Sequence, residues 1–237
     1  MIEIKGVTKK YGKKTALDNM SLTINKGDIF AFVGHNGAGK TTCIKCMTDI
    51  IEFDSGDILY DGVSIKDNPL ECKKNIAYIP DNPDIYEFLK GIDYLNFIAD
   101  IYEVGEERLE RINKYSSELG LKEALGNPIG SYSQGMKQKL AIIGALIHEP
   151  KYLILDEPFV GLDPVATRKL KDYMKEMTDK GNCIFFSTHV LEVAEKLCNK
   201  LAIIKDGKLI KSGDMDKLLQ DKSLEDIFLE LEDEKTT

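Results

Sequence analysis

No stretch of this chain reaches the roughly 18 consecutive apolar residues that a membrane-crossing helix requires, so no segment is expected to span a bilayer. The opening Met1-Ile2-Glu3-Ile4-Lys5 alternates as a strand does and carries no apolar signal region. The chain is therefore expected in the cytoplasm, and work at a membrane would need another protein to hold it there. A basic surplus is also missing. Lys and Arg number 32 against 40 Asp and Glu, for a net charge of −8, which argues against nucleic acid as the partner. The five cysteines are an odd count, and only Cys43 and Cys46 are spaced as C-x-x-C. With no second pair and no nearby histidine, that spacing points to buried, reduced thiols rather than to zinc or redox chemistry. Pro- or Ser-rich linkers, internal repeats and sustained heptads are absent as well, so the 237 residues read as a single domain over 1–237.

What is present is led by Gly34-His35-Asn36-Gly37-Ala38-Gly39-Lys40-Thr41-Thr42. It fits the phosphate-loop pattern G-x-x-x-x-G-K-[ST] at every fixed position. Glycines let the backbone approach phosphate oxygens where a Cβ would clash. The N–H groups at the start of the following helix then form an anion site, which the helix dipole favours. Lys40 can reach the terminal phosphates, and the Thr41 hydroxyl can ligate Mg²⁺. The flanks agree: residues 28–33 read as a buried strand, and a helix is predicted from Thr41 onward.

Apolar periodicity divides the chain. Strands are predicted at 2–7, 20–24, 29–33, 58–60 and 76–79. From about 83 to 148 the apolar residues fall at helical spacing, with Tyr94, Phe97, Ile98 and Ile101 in one stretch and Leu109, Ile112, Tyr115 and Leu119 in the next. Beyond Pro150, short apolar runs at 151–155, 183–187 and 201–204 alternate with helical segments near 164–178 and 190–197. That alternation predicts a mostly parallel sheet with crossover helices. A hairpin is expected over 203–211, turning at Asp206-Gly207. A last acidic helix and tail occupy about 223–237, with Leu224, Ile227, Phe228 and Leu231 as its apolar face.

Other residues carry chemistry. The run Tyr152-Leu153-Ile154-Leu155 ends in Asp156-Glu157, which places two carboxylates at the carboxyl edge of the sheet, where α/β proteins hold ligands. The first can help hold Mg²⁺ and the second can orient or deprotonate water. His189 is one of only three histidines and follows the strand 183–188; it reads either as a donor to a terminal phosphate or as a packed surface residue. Ser133-Gln134-Gly135 precedes a long apolar helix and offers an anion site or a simple cap. Tyr11, between lysines in a predicted turn, could stack on a base.

The order and spacing of these motifs resemble the nucleotide-binding subunits of ABC (ATP-binding cassette) transporters, over essentially the whole chain. The phosphate loop, the signature around Ser133 and Gly135, the Asp156-Glu157 pair, the Gly161-Leu162-Asp163 turn and His189 occur in that family's sequence order. The resemblance implies an α/β P-loop NTPase with a mostly parallel central sheet, an N-terminal antiparallel β subdomain and an inserted helical subdomain at about 83–148. It implies ATP and Mg²⁺ as cofactors. Tyr11 matches the adenine-stacking aromatic. Gly34, Asn36, Gly37, Ala38, Gly39, Lys40, Thr41 and Thr42 match the phosphate cradle. Thr41 and Asp156 match the Mg²⁺ contacts, Glu157 the general base and His189 the γ-phosphate switch. Ser133 and Gly135 match the signature that contacts ATP across a dimer, and Asp163 the turn that communicates across it. The implied partners are a second ATP-binding subunit and a separate polytopic membrane permease, with this chain peripheral on the cytoplasmic face of the membrane.

The chain departs from the family at three places. Asp81 stands where Gln is usual and would still approach Mg²⁺ or the lytic water. Gln134 replaces the first signature glycine, and Met136 the final Gln, with Gln138 nearby. The segment 78–86, with Gly91, Tyr94, Leu95 and Phe97, is most similar to the bacitracin/multidrug-type ATPases, which work with ABC-2 permeases as exporters. A soluble ABC-type ATPase acting on ribosomes or DNA generally carries two cassettes or long insertions, and neither is present. A phosphotransferase is disfavoured by Glu157 and the signature, which suit water as the acceptor.

Overall fold

The computed structural model describes residues 1–220 and 222–233, with side chains through residue 230. Two sheets organise it. The first contains β1 (Ile2–Tyr11), β2 (Lys14–Ile24), β4 (Ser55–Tyr60) and β5 (Val63–Ser64), in the order β2-β1-β4-β5 and antiparallel throughout. The second has the order β10-β9-β3-β8-β7-β6, from β3 (Ile29–Val33), β6 (Ile76–Ile79), β7 (Tyr152–Asp156), β8 (Cys183–Thr188), β9 (Lys200–Lys205) and β10 (Lys208–Asp214). Its strands pair in parallel except for the β9–β10 hairpin. That hairpin turns at Asp206 and Gly207, both at positive φ, as a two-residue type I′ turn requires.

The central strands read as unbroken apolar runs because both faces of their sheet are covered. Their side chains alternate between two cores, as a period of two dictates. Phe30, Phe32, Tyr152, Ile154, Cys183 and Phe185 face the first core, with α1 (Lys40–Met47) and the antiparallel sheet. Ala31, Val33, Leu153, Leu155, Ile184 and Phe186 face the second, against the helices. These are α3 (Gly91–Ile101), α4 (Arg108–Glu118), α5 (Gln134–Leu146), α6 (Pro164–Asp179), α7 (Leu191–Leu197), α8 (Met215–Leu219) and α9 (Leu224–Asp233); the short α2 (Pro69–Lys73) leads into β6. Ile112 and Tyr115 of α4 and Leu140 and Ile143 of α5 share one continuous core with the central strands.

Three predictions need adjustment. The first two strands run to Tyr11 and start at Lys14, so Tyr11 closes a strand and Gly12-Lys13 alone makes the turn. On α3 the buried residues are Gly91, Leu95 and Ala99, while Phe97 and Ile101 are exposed. On α4, Leu109 is exposed and Ile112 and Tyr115 are buried. The side chain of Leu231 and the end of the acidic tail, 234–237, lie outside the described residues. All five cysteines are buried and free. Burial raises the Cys46 thiol to about 11 and pushes Cys43 higher still, so neither is a ready thiolate.

Candidate nucleotide site

The site forms at the carboxyl ends of the parallel strands. Strand β3 delivers the chain into the loop 34–39, and α1 starts at Lys40. Gly39 caps that helix at φ 113°, and a Cβ there would lie 2.6 Å from the Ala16 carbonyl oxygen. No side chain caps α1, so the N–H groups of its first turn remain for an external acceptor. The loop is tied down from outside: Gly207 N–H donates to Ala38 O at 2.9 Å, and Asp18 N–H donates to Gly207 O at 2.9 Å. The hairpin turn therefore locks the phosphate loop to β2.

A pocket of about 290 Å³ opens here, lined by Tyr11, Asn36, Gly37, Gly39, Lys40, Thr41, Thr42, Asp81, Asp156 and Glu157, with Lys14 and Ala16 at its side. Ala38 and Gly34 stand behind the lining. Ala38 is buried, and the Gly34 carbonyl accepts from Lys40 Nζ at 2.7 Å. Lys40 is only 7% exposed. It also donates to His35 O at 3.3 Å and lies 3.9 Å from Glu157 Oε1. Burial lowers its pKa, and the Glu157 and Asp156 carboxylates oppose that shift. Tyr11 is half-exposed at the mouth, with Lys9 Nζ 5.2 Å from its ring centre.

Asp156 and Glu157 differ sharply in setting. Asp156 is 2% exposed, at the last position of β7, and its Oδ1 accepts from Ser187 Oγ. Glu157 lies one residue beyond the strand at φ 48°, in the left-handed region that non-glycine residues rarely adopt. Its carboxylate meets His189 Nδ1 at 2.9 Å and the His189 N–H at 3.3 Å. A ring protonated at Nδ1 donates to it there. Asp81 is exposed at the rim; burial of its carboxyl and repulsion from Asp156 and Glu157 raise its pKa.

Ser133 and Gly135 do not line this pocket. They begin α5, where Ser133 Oγ accepts from the Met136 N–H at 3.3 Å. A Cβ on Gly135 would lie 2.6 Å from Gly161 O, so the signature packs directly on the 161–163 turn. Lys139 pairs with Asp163 at 2.5 Å across the same junction. The two signature departures each have a structural use: Gln134 Nε2 donates to Asn82 Oδ1 at 2.6 Å, linking α5 to the loop after β6, and Met136 packs against the helical core. Gln138 is buried with no partner for its amide among the described residues.

Ser187 is the residue that motif reading missed. The available signal was a hydroxyl at the third inward position of an apolar strand, after Cys183 and Phe185.

A phosphate loop on a buried strand, a lysine within it and a carboxylate pair on the next strand but one define a nucleoside triphosphate hydrolase. The donors are hydroxyl and carboxylate oxygens, the set Mg²⁺ prefers. Among the described residues no three acidic, His or Cys side chains converge to hold a metal ion. Comparison with known proteins narrows this class. The ABC transporter family model matches residues 17–160. The ABC transporter ATP-binding protein YhcH of Bacillus subtilis is 38% identical over 89% of this chain and 68% of its own length. The SkfA peptide export ATP-binding protein SkfE of the same organism is 35% identical, over 89% of this chain and 88% of that one. A solved ATP-binding subunit of an ABC transporter superimposes with a TM-score of 0.93 at 33% identity, covering 98% of this chain and 99% of the other. The chain belongs to the ABC transporter ATP-binding family. It is an ATPase that uses ATP and Mg²⁺, the ATP-binding subunit of a transporter. Among the described residues no helix is long and apolar enough to cross a membrane.

Proposed function

We propose that this chain powers an exporter from the cytoplasmic face of a membrane, with its pocket residues in the following roles. The observation that carries the reading is that Lys40, Thr41, Asp156 and Glu157 line one pocket with Tyr11 at its mouth. Tyr11 stacks on the adenine, and the loop amides with Lys40 hold the phosphates. In this structure Lys40 spends its donors on Gly34 O and His35 O; an arriving triphosphate offers stronger acceptors, and the ammonium turns to them. Thr41 and Asp156 hold Mg²⁺, with Asp81 as an added carboxylate at the rim. When bound there, the ion would supply charge neutralisation at the phosphate oxygens. Glu157 receives the proton of the attacking water. His189 holds that carboxylate in place and gains the γ-phosphate as a second partner. The withdrawal of Lys40 from Glu157 frees the base when the nucleotide is seated.

Ser133 and Gly135 sit away from the pocket of their own chain, which supports their acting on the nucleotide of a second ATP-binding subunit. Closure and opening of that pair drive the permease. The permease docks near Asp81 and the helical segment. There Phe88 is 80% exposed with its ring centre 5.8 Å from that of Tyr86. The adjoining cleft is lined by Pro83, Asp84, Tyr94 and Tyr102. Exposed aromatics of this kind mark contact surfaces. The export direction draws on the similarity to SkfE, whose name specifies peptide export.

The test is Glu157→Gln. ATP binding should persist, and phosphate release should fall by about 10²–10⁴-fold, the contribution of a positioned general base. Wild-type turnover in that variant would remove Glu157 from its role. Phosphate appearing as inorganic phosphate, with no second acceptor, separates hydrolysis from transfer.

A further inference from the structure

Ser187 is 0% exposed at the inward face of β8, opposite Asp156 in the parallel register. Its hydroxyl donates to Asp156 Oδ1. The same oxygen accepts from the Glu157 N–H at 3.2 Å, and that N–H also reaches the Ser187 carbonyl at 3.2 Å. One side chain thus grips the carboxylate of one site residue and the backbone of the next. The neighbouring Thr188 hydroxyl lies on the opposite face of the strand, where its Oγ1 accepts from the Val190 N–H at 3.0 Å.

Taking the site as the Mg²⁺-dependent ATPase centre argued above, we propose that Ser187 is a positioning residue that sets the metal-holding carboxylate and the catalytic base together. Two physical needs converge on it. A buried carboxylate without a donor is expensive, and the Ser187 hydroxyl fixes the Asp156 carboxylate, which lines the same pocket as the phosphate loop. Glu157 occupies a backbone region that is itself unfavourable. The shared N–H contact holds it there and so aims its carboxylate at the pocket. Partners of metal-ligating carboxylates commonly govern metal affinity by about 10–100-fold. Ser187 is such a partner for Asp156, and the same atom extends its reach to Glu157.

The experiment compares the full-length wild type with Ser187→Ala and Ser187→Thr. Mn²⁺ is titrated by electron paramagnetic resonance with a non-hydrolysable ATP analogue present, and the analogue's own affinity is measured in EDTA. For Ser187→Ala the Mn²⁺ dissociation constant should rise about tenfold or more, while affinity for the analogue in EDTA stays within about twofold. Ser187→Thr, which keeps the hydroxyl, should restore Mn²⁺ binding. An Ala variant that binds Mn²⁺ as the wild type does overturns the proposal, as does a folded Thr variant as weak as Ala. If the added methyl prevents folding, the Ala result decides alone. A wild-type chain that binds the analogue but takes up no Mn²⁺ would instead overturn the metal reading of the whole site, and the role of Ser187 with it.

Discussion

Glu157 shows what a single residue can conceal. Its identity and place after an apolar strand were legible as a carboxylate at a sheet edge, but its left-handed backbone was not, because that conformation is imposed by Ser187 and the turn from a strand 30 residues away. The phosphate loop was legible because its chemistry is local: every group that matters lies within nine consecutive residues. His148 is another residue whose character comes from its surroundings. It stacks on Tyr102 at 3.7 Å between ring centres and 12° between planes. Both ring nitrogens are buried without a hydrogen-bond partner. Burial lowers its pKa to about 4, and the nearby backbone of Ile76 and Gly144 only partly offsets this. The folded state thus favours the neutral ring. The stability this group contributes is complete above the unfolded value of 6.5 and is lost as pH falls toward 4. Between pH 7 and pH 5 the loss amounts to about 2 kcal/mol. His148→Phe keeps the stack and should flatten that part of the pH profile in urea unfolding; an unchanged pH profile would show that the imidazole is not the group responsible.

Among the elements, helix existence and order were readable from periodicity, but helix faces less so. The apolar stripe of α3 is wider than its contact surface, so Phe97 and Ile101 remain outside while Leu95 and Ala99 are buried. Strands β1 and β2 outran their predicted lengths because their outer halves carry Lys9, Lys10, Lys14 and Asp18, which mask the alternation on a face open to solvent. Helix α6 has a clearer origin. Asp163 accepts from the Val165 and Ala166 N–H groups at 3.0 and 2.9 Å, and Pro164 follows at the first helical position. Its pairing with Lys139, helped by those N–H groups, holds its carboxyl below the usual range. Asp163→Ala should cost about 1 kcal/mol in denaturant unfolding, the usual worth of such a cap. Asp163→Asn retains the cap and loses the ion pair, so it should recover most of that stability. Equal losses in the two variants would assign the effect to Lys139 instead.

For the whole molecule, the pocket faces outward and the signature helix begins elsewhere on the surface, so the proposed catalytic unit needs two copies or two different subunits. The Glu157→Gln chain with ATP and Mg²⁺ should double in mass by light scattering and return to monomer in EDTA. A mass that ignores nucleotide would argue against pairing of this chain with itself and point to an unlike partner subunit. The strand order carries a further consequence. Strand β3, which bears the phosphate loop, lies between β8 and β9, and the loop is pinned by the turn after β9. All three come from the last quarter of the chain. A polypeptide cut short before residue 183 has the full phosphate-loop sequence but neither strand that flanks β3 nor the turn that pins the loop. The phosphate loop is thus local in sequence but non-local in support: its full brace forms only once the chain through Gly207 is available to fold around it.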